Sequence, residues 1–234
     1  MLCYQRYVES NSKQPLKLVV FDLDGTLVEL ELEHFAQQIE LTLGKVGLYS
    51  PPREKLLELV HKHDVNSLFT SVEETKHFWN NYEDGEIPSP RLFERSLSTV
   101  EEVVARGLDV AIATARKYHR DELRRVLQHT GLMKHIDVVS TWHGENWLDK
   151  VEQLRKLCKD HLVEPRRCTM VGDTEDDMRS SRSVGFGLRL AMSTGITPVA
   201  RLQVHKPHRI LSCIGEVPPT LDEHSQVGVL TTSE

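Results

Sequence analysis

The stretch VVFDLDGTLVE, residues 19–29, decides how this chain is read. Val19, Val20 and Phe21 suit a buried strand. Asp22 and Asp24 do not, because a carboxylate taken out of water is costly unless a metal, a partner or a shifted pKa compensates. The strand is therefore expected to end near Asp22, with both carboxylates emerging at its carboxyl end. Gly25 follows them and lets the chain turn closely past a ligand.

The rest of the sequence fits an ordinary globular protein. Its 234 residues suffice for one large domain or a core with a smaller insert. The net charge of −6 comes from 29 basic and 35 acidic side chains of interspersed sign. That balance gives no reason to expect nucleic acid or an anionic membrane as a partner. A small anionic substrate remains open, since it depends on one local site. No apolar run approaches the roughly 20 residues of a membrane span, and residues 1–15 lack the apolar core of a signal peptide. The four cysteines, at 3, 158, 168 and 213, form no CxxC pair and read as reduced thiols. A cytoplasmic protein, monomeric as the simplest arrangement, is the expectation.

Periodicity divides the chain. Residues 16–21 are a strand after a polar lead-in. Between residues 28 and 90 the pattern turns helical. Phe35, Ile39 and Leu43 recur every fourth residue, Pro51 and Pro52 open a second helix with Leu56, Leu57 and Val60, and a third covers 72–82. GEIPSP, 85–90, is a turn-rich exit. Alternation of strand and helix resumes at Arg91. Leu92, Leu97, Val100, Val103 and Val104 predict a helix ending near Gly107. Strands follow at 108–114, 137–141, 167–172 and 186–192, with helices at 118–130, 149–161 and from about Glu175. Such alternation predicts a parallel sheet covered on both faces. The organisation expected is a core of residues 1–27 and 91–214, a helical insert of 28–90 and a tail of 215–234.

In an open parallel sheet, ligands gather beyond the carboxyl ends of the strands. The first strand delivers Asp22 and Asp24 there. The strand 108–114 delivers Thr114 and then Arg116, and 137–141 is followed by Lys150. The strand 167–172 delivers Asp173, Glu175, Asp176 and Asp177. Carboxylates this dense repel one another, and an all-oxygen set suits magnesium. A hydroxyl, a lysine, backbone N–H groups and a hard cation are the equipment of phosphoryl transfer, where catalysis is mostly positioning and charge stabilisation.

On these residues the chain resembles the haloacid dehalogenase-like hydrolase superfamily. DLDGTL, 22–27, is similar to its first motif and VAIATAR, 110–116, to its second. Lys150 stands where the third motif's lysine belongs, and VGDTEDDM, 171–178, resembles the fourth. The resemblance covers residues 16 to about 195 and implies a Rossmann-like core with an inserted all-helical cap, as in phosphoglycolate phosphatases. It implies that Asp22 is the nucleophile that becomes an aspartyl-phosphate, and that Asp24 is the general acid and base. Thr114 would bind a phosphoryl oxygen. Mg2+ would be held by the Asp22 carboxylate, the Asp24 backbone carbonyl and Asp173, with Asp177 acting through water or by orienting Lys150. The activity implied is magnesium-dependent hydrolysis of a small phosphorylated metabolite. A sugar phosphomutase, or a binding protein that kept the fold without turnover, are the alternatives.

The third motif departs from the Gly-Lys-Pro common in this subgroup, reading LDKVEQ, with Trp142, His143, Glu145 and Trp147 just before it. Other residues have plainer readings. Thr174 and Asp177 are spaced as a capping box, a role compatible with catalysis. Asp176 favours a helix dipole. Arg116 and Lys117 open a helix where charge is ordinary. The histidine pairs 61/63 and 205/208 lack the company of a metal site. Phe78, Trp79 and Tyr82 read as cap core. Glu29, Glu31 and Glu33 would disfavour a second anionic group on the substrate if they faced the site, and Arg53 or Lys45 are the cap cations to weigh against them.

Overall fold

The computed structural model describes residues 15–62, 64–83, 90–115, 120–136, 138–141, 150–195 and 197–229. Along the chain they form β1 (Leu18–Phe21), α1 (Leu32–Lys45), α2 (Arg53–His61), α3 (Val72–Asn81), α4 (Ser96–Ala105) and β2 (Asp109–Thr114). There follow α5 (Arg120–His129), β3 (Val138–Thr141), α6 (Lys150–Asp160), β4 (Cys168–Gly172), α7 (Glu175–Val184), β5 (Leu188–Met192), α8 (Val199–Val204), β6 (Arg209–Leu211) and α9 (Val217–Val229).

The strands make one parallel sheet in the order β3-β2-β1-β4-β5-β6. Every residue of β1 is buried, as a central strand covered on both faces must be. Its side chains alternate between two cores. Val19 and Phe21 join Val100 and Val103 of α4, Leu123 and Leu127 of α5, and Val217 and Leu221 of α9. Leu18 and Val20 join Leu154 and Leu157 of α6, Met178 of α7 and Leu202 of α8. The chain runs from β1 outward through β2 to β3, then returns to β1's other side with β4. That reversal opens a crevice at the carboxyl ends of β1 and β4, where open α/β sheets bind ligands.

The inserted helices have a core of their own. Ala36, Ile39 and Leu43 of α1 pack with Leu56 and Val60 of α2 and with Phe78 and Tyr82 at α3. Phe78 meets Trp79 edge-on at 5.0 Å, and Trp79 Nε1 donates to Asn66 Oδ1 at 2.8 Å. Two antiparallel connections join cap to core. Val28 bridges Leu92, Glu29 N donates to Arg91 O at 2.8 Å, and Phe93 N to Leu27 O at 3.1 Å.

Three details depart from the sequence reading. Leu92 lies in this connection, and α4 begins only at Ser96, whose hydroxyl donates to Leu27 O at 2.7 Å. Residues 217–229, expected to be a tail, form helix α9, with Val217 and Leu221 in the core and Asp222 clasped by Arg106 at 2.9 Å. Pro218 and Pro219 lie in its first turn, which needs no intrahelical N–H from them. The sheet also gains a strand that the alternation did not predict, β6, where Arg209 pairs with Glu223 at 2.8 Å. Residues 85–89, Arg116, Lys117 and the stretch with Trp142, His143, Glu145 and Trp147 lie outside the described residues, as does most of the lead-in.

Candidate active site

Asp22 follows β1 directly and stays in register, its N–H donating to Val171 O at 2.8 Å. The side chain is only 6% exposed. Its neighbour across the crevice is Asp173, first residue after β4 and equally buried. Between Asp22 and Asp24 the chain turns at Leu23, which is wholly buried and accepts N–H bonds from Leu27 and Val28 at 2.9 Å. Asp24 is half-buried and its backbone bridges Val28. Gly25 has φ +78°, and a Cβ there would come within 2.5 Å of Asp173 Oδ2. The turn therefore needs glycine for both its conformation and its closeness.

Lys150 starts α6 and is buried. Its Nζ donates to Asp22 Oδ1 at 2.7 Å and also to Asp177 Oδ1. Asp177 uses its second oxygen, Oδ2, to accept from Thr174 N at 3.0 Å and Thr174 Oγ1 at 2.6 Å. Thr174 Oγ1 in turn accepts from Asp177 N at 3.2 Å, completing the capping box of α7. Asp177 thus both caps a helix and bonds the lysine. Thr114 ends β2 at 1% exposure, and its carbonyl accepts from Gln153 Nε2 at 3.2 Å. One carboxylate oxygen from each of Asp22, Asp173 and Asp177 falls within a 4.8 Å cluster.

The electrostatics follow from this crowding. Burial, with the charges of Asp177 and Asp24 adding to it, pushes Asp22 up to about 7 despite the opposing pull of Lys150. Burial, then Asp22 and Asp177, also raises Asp173 well above the usual carboxylate range. Burial alone would lower Lys150, but Asp177 and Asp22 outweigh it and hold its ammonium above the usual lysine range. Among the described residues, one buried cation thus faces three buried carboxylates. A hard divalent cation fits such a set: the ligands are all oxygen, and Asp22 and Asp173 each have only one oxygen bonded among the described residues.

Residues that the sequence did not single out support the site. Thr26 Oγ1 donates to Asp173 Oδ1 at 3.2 Å, and Thr194 Oγ1 to Gly25 O at 3.0 Å. A Cβ on Gly195 would sit 1.8 Å from Asp173 Oδ2. Gln153 was legible, since it lies three residues beyond Lys150 on one helical face. Thr194 and Gly195 carry no local signal. They reach the site because β5 lies beside β4.

The acids and cations weighed in the cap have ion-pair partners, some from the core side of the connection. Arg91 holds Glu29 at 3.3 Å and Glu31 at 3.7 Å, while Arg53 holds Glu33 at 3.2 Å and Glu40 at 3.0 Å. Lys45 pairs with Glu83 at 3.3 Å. Of the paired histidines, His63 lies outside the described residues; His61 Nδ1 meets Leu57 O at 2.9 Å, His205 meets Glu175, and His208 Nδ1 accepts from Arg189 N at 3.0 Å. Asp176 binds Arg179 and Ser180 on its own helix. No helix among the described residues is long and apolar enough to cross a membrane.

Known proteins agree with this architecture. The chain is 23% identical over 192 residues to a phosphoglycolate phosphatase of Aquifex aeolicus (strain VF5), covering 76% of this chain and 85% of that protein. The fold superposes on a predicted phosphatase from Clostridium acetobutylicum with a TM-score of 0.74 at 16% identity, covering 90% of this chain and all of that one. It also superposes on the haloacid dehalogenase-like hydrolase SP0104 from Streptococcus pneumoniae with a TM-score of 0.68 at 20% identity, covering 88% and 98%. Residues 19–189 match the family described as haloacid dehalogenase-like hydrolase, and with most of its length inside that match the chain belongs to this family.

Proposed function

We propose that the protein is a magnesium-dependent phosphatase that hydrolyses a small phosphate monoester through an aspartyl-phosphate on Asp22. The observation that carries this reading is the buried Asp22–Lys150–Asp177 ion cluster with Asp173 beside it. A fold gains nothing in stability from such a cluster that apolar packing would not supply. Its value lies in chemistry.

Asp22 attacks phosphorus, and Lys150 fixes the attacking carboxylate through its bond to Oδ1. Lys150 also supplies positive charge where the phosphoryl oxygens arrive. Asp177 acts on Lys150 rather than on substrate, since its own oxygens are occupied. Asp24 protonates the leaving oxygen and then takes a proton from the water that hydrolyses the acyl phosphate. Its partial exposure gives it access to both. Thr114 offers a hydroxyl at the end of β2, and Gln153 Nε2 ties α6 to that strand end through the Thr114 carbonyl. Magnesium, when bound by Asp22, Asp173 and the Asp24 carbonyl, would neutralise phosphoryl charge and keep Asp22 ionised. The helical cap covers the substrate, and the similarity to a phosphoglycolate phosphatase supports a small one.

The test is phosphate release from p-nitrophenyl phosphate and a panel of small phosphometabolites, with magnesium and with EDTA. Asp22→Asn should abolish turnover, a loss of about 10⁴-fold or more. Asp24→Asn should cost about 10²–10⁴-fold. Phosphate release that persists in Asp22→Asn would overturn the covalent mechanism. Transfer to a second hydroxyl of the substrate, without release to water, would instead mark a phosphomutase.

A further inference from the structure

The mechanism leaves two buried nucleophiles unused. Cys158, near the end of α6, and Cys168, the first residue of β4, place their sulfurs 3.7 Å apart. Both are buried in the core between α6, α7 and the sheet, Cys158 at 6% exposure and Cys168 at none. Cys168 also reaches the Glu164 carbonyl at 3.5 Å. The two residues belong to the two elements that bring Lys150 and Asp173 to the site, but at the opposite ends of those elements. We propose that Cys158 and Cys168 form a redox modification site, closing into an intramolecular disulfide under a peroxide and fastening α6 to β4.

The sulfurs are already in contact, and a disulfide needs about 2.05 Å between them. The remaining approach is under about 2 Å, within reach of side-chain rotation and a small shift of the connection. That connection crosses the surface: Leu162 is 92% exposed with φ +53°, and a single 3₁₀ turn at Pro165–Arg167 follows. Cys158 keeps 6% exposure and Cys168 none, so Cys158 is the thiol that peroxide reaches first. Its thiolate attacks one oxygen of hydrogen peroxide, the O–O bond breaks, and hydroxide leaves as water after taking a proton. Cys158 is then a sulfenic acid. The Cys168 sulfur attacks the Cys158 sulfur, the S–O bond breaks, and the departing hydroxide leaves with the Cys168 proton as a second water. Two thiols are oxidised and one peroxide is reduced.

The test uses the full chain carrying Cys3→Ser and Cys213→Ser, which leaves this pair alone. The folded protein is exposed to hydrogen peroxide with glutathione as an internal control. It is then unfolded in N-ethylmaleimide and weighed. The expected product is a monomer lighter by two hydrogen atoms, with no maleimide added and a proteolytic fragment joining the two cysteines. Dithiothreitol should restore two alkylatable thiols. The oxidised protein should melt several degrees higher than the reduced one, and Cys168→Ser in the same background should lose both effects. Two maleimide adducts after the glutathione has been oxidised would overturn the proposal. So would a sulfinic acid on one sulfur, or a disulfide that forms only in denaturant. None of these readouts depends on phosphatase activity.

Discussion

Asp22 in the core and Glu58 in the cap are carboxylates with lysine partners, yet their acidities move in opposite directions. Asp22 touches Lys150 at 2.7 Å and is pushed up to about 7, because burial and neighbouring carboxylates outweigh that one cation. Glu58 is exposed, lies 2.8 Å from Lys55 and near Lys62, and is pulled down to about 2 by hydrogen bonds to both. The cap can satisfy its charges in water with pairs worth at most about 1 kcal/mol. The core edge cannot: among the described residues its carboxylates outnumber its cations, and a proton or a further cation relieves the repulsion. Chemistry is concentrated where the fold has accepted that cost.

The difference is testable by pH. In EDTA, native Asp22 keeps its proton up to about pH 7, whereas in the unfolded chain it is lost above the usual 3.8. The native state therefore binds more protons across that window, and stability falls as pH rises through it. Asp22 alone accounts for a loss on the order of 4 kcal/mol, and Asp173 moves the same way. Glu58 has the reverse sign: its contribution is present above 4.5 and disappears as pH falls toward 2. Melting curves in EDTA should thus fall from pH 4 to 7. Magnesium should raise the melting temperature far more at pH 8 than at pH 5. Equal stabilisation at both would break the contrast.

Removing one cation from each region gives the next largest effect. Lys150→Met leaves Asp22 and Asp177 buried without their partner, at a cost of about 3–5 kcal/mol by urea unfolding near neutral pH. Arg53→Ala removes two exposed pairs in the cap and should cost less than about 1 kcal/mol. A lysine variant as stable as the arginine one would mean that the buried cluster is already neutralised by other means.

The same contrast governs what was legible. DLDGT, Thr114, Lys150 and Asp173 could be placed because each follows a strongly apolar strand or opens a helix, and the parallel sheet then gathers strand ends on one edge. The capping box of Asp177 was legible from spacing alone. Thr194 and Gly195 were not, because their role depends on the lateral position of β5, which no local pattern encodes. Helix α9 was missed because GEVPPTLDE and the polar end after it were read as a tail, although prolines in a first turn do not stop a helix. In the cap, periodicity found α1, α2 and α3. It could not show which way Glu29, Glu31 and Glu33 face, since surface pairing with Arg91 and Arg53 leaves no periodic trace.

Two glycines bring the comparison to its smallest scale. Gly195 lies against the site, and a Cβ would meet Asp173 Oδ2 at 1.8 Å. Gly195→Ala should displace that carboxylate, cost about 1–3 kcal/mol by overpacking, and weaken magnesium affinity measured by calorimetry. Gly44 sits in the last turn of α1, exposed, with nothing within 4 Å of the missing Cβ and no positive φ to forbid one. There alanine only removes conformational freedom from the unfolded chain. Gly44→Ala should therefore stabilise the protein by about 0.5 kcal/mol, at the low end because the helix is about to finish, and leave magnesium affinity unchanged. A loss of stability would mean that the end of α1 packs more tightly in solution than its open surroundings imply.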